Sequence, residues 1–171
     1  MYSLWSGSFE PNKENKKTPK AIISEQCFLL DELTKGVVIA RIASYDVGNG
    51  DVFGFPMIRP KGTKIQQLLG DSYTENCFIY EFFLTSKGTP KYRYRVFFIR
   101  HGITIYPVEI FLDSSIETEI HDVLAPFWSN PDIIICKNEV DFIAVLQRIL
   151  NSSKLEKVIN SLLAMNERSA G

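Results

Sequence analysis

The sequence predicts an α+β fold. A mainly antiparallel sheet, built from a hairpin and a three-stranded meander, packs against helices on one face and is followed by a C-terminal helix pair. Three observations carry this. Residues 77–85, 92–100 and 104–112 are three successive runs rich in Phe, Tyr, Ile and Val, separated by short polar breaks. Runs of that composition suit a pleated, half-buried surface, and short breaks between them make antiparallel neighbours. Amphipathic stretches with capping residues lie on both sides of these runs. Aromatics make up 12% of the chain, led by 12 Phe and 7 Tyr, which moves the balance further toward sheet.

The first helix opens at Thr18, a capping residue, followed by Pro19 at the position where a missing N–H costs nothing. Ile22, Ile23, Cys27, Leu29, Leu30 and Leu33 form its broad apolar stripe, and Gly36 provides a left-handed stop. Residues 37–47 read as a strand. Asn49 and Gly50 supply the positive φ angles of a tight hairpin turn, and 52–58 reads as the partner strand, with Pro56 confining part of it to an edge. Thr63 and the residues up to Gly70 suit a short helix. After the meander, Ser114 and Glu117 have capping-box spacing, and Ile116, Ile120, Val123 and Leu124 face inward. Residues 132–136 form a short apolar strand. Asn138 caps the next helix, with Phe142, Val145, Leu146 and Ile149 on one face. Ser153 and Glu156 open a last helix with its own stripe from Leu155 to Leu163.

These elements divide the chain into an N-terminal extension (1–18), partly flexible around its polar 10–18 stretch, a single domain (19–168) and a disordered tail (169–171). Trp5 and Phe9 are placed to pin the extension to the body. The 171 residues suffice for a core without covalent staples. Their 19 basic and 20 acidic side chains leave a net charge of −1, which removes the electrostatic footprint of a nucleic-acid or anionic-membrane binder. No apolar run is long enough to span a membrane, and the N-terminus lacks the pattern of a signal peptide. The three cysteines, Cys27, Cys77 and Cys136, lie in apolar segments and form no C-x-x-C pair. Buried reduced thiols and a cytoplasmic location follow.

The chemistry-bearing motifs are few. Asp46 and Asp51 bracket a glycine-rich turn that fits neither the calcium loop nor the phosphate loop. His101 and His121 have no third ligand at zinc spacing. Nucleophile elbows and Walker or Rossmann glycine patterns are missing. The meander offers more. A first loop centred on Gly88 opposes Glu81 to Arg95, and a three-residue second loop at His101 opposes Arg95 to Glu109. Glu81, Arg95 and Glu109 then form a row of charges on the face away from the helices, with Arg93 and Arg100 beside it. Ile79, Phe83, Phe97 and Phe111 share that face, while Tyr80, Phe82, Tyr94, Val96, Phe98, Tyr106, Val108, Ile110 and Leu112 face the core. A two-residue second loop would turn Glu109 to the other side.

A solvated salt-bridge ladder is one reading of the row. The other is a binding surface made of Glu81, Arg93, Arg95, Phe97, Glu109 and Phe111, whose apolar groups anchor another protein or a second copy of the chain. The expected function is therefore that of a small cytosolic interaction protein needing no cofactor. Nineteen Ile against seven Ala suggest an AT-rich coding sequence, which fits a bacterial or phage accessory protein such as a toxin-immunity protein or defence inhibitor. The alternative is a metal-dependent nuclease or other hydrolase using Asp46, Asp51, Glu81 or Glu109, although the Glu-x-Lys it would need is absent. A third class is a single-strand nucleic-acid binder stacking bases on Tyr92, Arg93, Tyr94 and Arg95. Net charge argues against it.

Overall fold

Helix α1 (Pro19–Leu33) begins where the local chemistry places it: Pro19 opens it, and the Thr18 hydroxyl accepts the Ala21 N–H at 3.2 Å. The structure, a computed structural model, describes residues 17–45, 77–130 and 133–170. The expected hairpin turn at Asn49 and Gly50, its 52–58 strand, the helix near 63–70, the acidic pair Asp46 and Asp51, and Trp5 and Phe9 lie outside the described residues. Lys35 and Gly36 close α1 with φ of 52° and 74°. The Gly36 N–H donates to the Asp31 carbonyl at 2.7 Å, the long bond of a Schellman closure.

Strands β1 (Val38–Ser44), β2 (Phe78–Ser86), β3 (Tyr94–His101), β4 (Val108–Leu112), β5 (Trp128–Asn130) and β6 (Ile133–Cys136) form a six-stranded sheet among the described residues. Its order is β1-β2-β3-β4-β6-β5, with every neighbouring pair antiparallel. The β2–β3–β4 meander is the one expected. Helices α2 (Ser114–Ile120), α3 (Glu139–Leu150) and α4 (Ser153–Ala170) join α1 on one face. Ile22 and Ile23 of α1, Ile116 of α2, Phe142 of α3 and Leu155 of α4 share a core with Phe82, Leu84, Ile99, Ile110 and Ile134 of the sheet. This is the α+β architecture read from the sequence, with helices on one side.

Register departs from the expectation in both hairpins. Glu81 opposes Phe98, not Arg95, and Glu109 opposes Arg100, not Arg95. Two causes act. Between Phe82↔Phe97 and Phe83↔Arg95 the ladder slips, leaving Val96 as an extra residue in a β-bulge. The second loop spans 102–107 rather than three residues, with Ile105 at φ 72°, so β4 starts only at Val108. The bulge turns Phe97 to the helix side, where it is 1% exposed, and sends Phe98 to the opposite face. The carbonyl of Val96 is not orphaned, because the Asp113 N–H donates to it at 2.9 Å.

Two caps sit one residue earlier than expected. Asp113, rather than Ser114, caps α2, its Oδ1 accepting from Ser115 and Ile116 N–H. At α4 the Ser152 hydroxyl, rather than Ser153, accepts from Leu155 N–H. Asn138 caps α3 as read, accepting the Asp141 N–H at 2.9 Å. Helix α4 continues to Ala170, beyond the boundary expected at 168. In the β2–β3 loop, Gly88 meets α4 so closely that a Cβ there would lie 2.9 Å from Asn166 Cα.

Candidate functional site

The charged residues expected on the far face of the sheet do gather there, in a different pairing. Glu81 is 1% exposed and holds two arginines: Arg95 Nε donates to Oε1 at 2.8 Å, and Arg93 Nη2 lies 3.6 Å from Oε2. Arg100 Nε donates to Glu109 in a separate pair. The bulge explains how Glu81 reaches Arg95: it returns Arg95 to the Glu81 face one residue further along β3, diagonally rather than directly across. The guanidinium of Arg93 sits 3.4 Å from the Phe83 ring centroid, that of Arg95 4.6 Å from Phe98, and that of Arg100 5.2 Å from Phe111.

This arrangement overturns the expected anchor set. Phe97 belongs to the helix-side core, and Phe111 is 2% exposed in a second cluster with Ile79, Phe98 and Ile133. Neither ring presents itself to a partner. Glu81 and Glu109 accept from guanidinium groups, which is the opposite of two carboxylates turned toward one cation. Arg93 and Arg95, placed by the sequence in a possible base-stacking strip, are engaged with Glu81, and Tyr94 donates its hydroxyl to Asp113 Oδ1 at 3.1 Å.

Nucleophilic chemistry fares no better. Burial pushes the Cys136 thiol up to about 12 and the Cys27 thiol up to about 11, which suppresses the reactive thiolate. Cys77, expected to be buried, is exposed. His101 and Cys136 are both opposite Val108, on either side of β4, so two strand spacings, roughly 10 Å, separate them. His121 stacks on Trp128 with centroids 4.9 Å apart.

Among the described residues, an open groove lies on the helix side. A groove of about 650 Å³ runs between α1 and the α3–α4 pair, with Phe82 and Leu84 of β2 at its floor. Leu29 and Leu33, one turn apart on α1, form one wall, and Ile143 and Leu150 of α3 with Ile159 of α4 form the other. Leu29 is 46%, Leu33 82% and Ile143 45% exposed. Leu29 and Leu33 belong to the stripe of α1 read as core, whereas Ile143 lies outside the stripe read for α3; α1 and α3 stand too far apart to close over β2. At the N-terminal ends of both helices, Lys17 ties the walls together: its Nζ donates to Glu25 at 2.8 Å, and its backbone N–H donates to Glu139 at 3.3 Å. The Glu25 carboxylate holds the Lys17 ammonium above its ordinary pKa. Leu33 and Leu150, the last residues of α1 and α3, also line the groove, so it follows both helices along their length.

No protein-family model, curated protein or solved structure matches the chain. The groove and the buried charge cluster therefore stand on their own chemistry. One sequence signal pointed to the groove: six apolar positions on α1 span a wider arc than the roughly 100° stripe needed to seat a surface helix.

Proposed function

We propose that this protein is a binding protein that takes an apolar element of a partner protein into the groove between α1 and the α3–α4 pair. The observation that supports this reading is the concentration of exposed Leu29, Leu33 and Ile143 around one apolar-floored trough. Isolated exposed apolar side chains are ordinary, whereas a contiguous patch flanking a concavity is the usual mark of an interaction site. A toxin-immunity or defence-inhibitor role in the bacterial cytoplasm is the setting that best suits a small binding protein with three free cysteines. Among the described residues no helix is long and apolar enough to cross a membrane.

The test compares Leu33→Asp with Val123→Asp. Both side chains are exposed, at 82% and 50%, and only Leu33 lines the groove. Proteins captured from cells of the source organism are identified by mass spectrometry, purified and titrated calorimetrically against each variant. Leu33→Asp weakens binding by about tenfold or more, the loss typical of a central apolar anchor, and Val123→Asp leaves it unchanged. Equal affinity for the two variants overturns the assignment.

A further inference from the structure

We draw no further inference here: the strongest candidate, the apolar groove between α1 and the α3–α4 pair, carries nothing beyond the binding role already proposed for it, because its Glu25 is already paired with Lys17 and nothing in the structure shows what covers it.

Discussion

Arg95 and Glu81 form a 2.8 Å salt bridge on the far face of the sheet although the residue directly opposite Glu81 is Phe98. The carboxylate is nearly inaccessible, and Arg93 approaches its other oxygen. A buried carboxylate with two guanidinium partners is expensive to disrupt from one side, because removing it leaves two partly buried cations facing each other without their counter-charge. Glu81→Ala is expected to destabilise the fold by about 3–5 kcal/mol in urea melts. A loss below about 1 kcal/mol, the range of exposed pairs, would show that the cluster is hydrated rather than buried.

The bulge at Val96 sets which phenylalanine supports the helix-side core. Phe97 stacks on Phe82 with ring centroids 4.8 Å apart, inside the cluster that joins all four helices to the sheet. Phe97→Ala is expected to cost about 3–5 kcal/mol, and Phe97→Asp to give a chain unfolded by circular dichroism. A folded Phe97→Asp variant that loses only self-association would restore Phe97 to the far face and remove the bulge.

Local signals made most of the fold legible. The Thr18 and Asn138 caps, the Gly36 stop and the aromatic runs of the meander act within a few residues of where they are read. Register is different, because it depends on how many residues each turn consumes and on where the ladder slips. The extra residue at Val96 leaves no local mark, whereas Pro107, inside the 104–112 run, marks where the strand cannot yet have begun. Charge pairing followed the same divide. Glu81 and Arg95 meet through the bulge and not by the opposition expected, and Glu109 pairs with Arg100. The groove escaped for a third reason. Apolar stripes read as core, and whether Leu29 and Leu33 are covered depends on how far α3 stands from α1, a property of packing alone.

Gly88 is required by proximity rather than by its backbone angles. Its missing Cβ makes room for the backbone of α4, with Asn166 Cα 2.9 Å and Oδ1 3.1 Å from where that carbon would sit. Gly88→Ala must push the β2–β3 loop off α4 and is expected to cost about 1–3 kcal/mol. Gly102→Ala, where a Cβ meets nothing within 4 Å, is the matched control and should be near neutral. Equal midpoints for the two variants in thermal denaturation would show that the loop does not rest on α4.

The three thiols should separate by reactivity. Cys77 is exposed, Cys27 half-buried and Cys136 buried. Desolvation raises Cys27 to about 11 and Cys136 to about 12, so at pH 8 almost none of either is thiolate. Brief treatment of the native protein with iodoacetamide at pH 8 is expected to label Cys77 first, with Cys136 labelled only in denaturant. Peptide mass mapping gives the order. Labelling of Cys136 as fast as Cys77 would mean that the β6 end of the core opens readily.

Glu119 provides the clearest pH dependence. Its carboxylate, on α2, accepts the first free N–H groups of α4, from Ser153 at 2.5 Å and Lys154 at 3.0 Å. Those backbone donors hold it below its ordinary value of 4.5. A carboxylate whose pKa is lower folded than unfolded stabilises the native state above the unfolded pKa, and the contribution disappears as pH falls through the folded value. Wild type is therefore expected to exceed Glu119→Ala in melting temperature at pH 7. The gap should hold down to about pH 5 and close progressively below the ordinary carboxylate range. The pair of melting curves, recorded from pH 7 to pH 2.5, decides it. A gap that stays constant across that range would mean that Glu119 supports α4 through packing of its side chain rather than through its charge on the helix N-terminus.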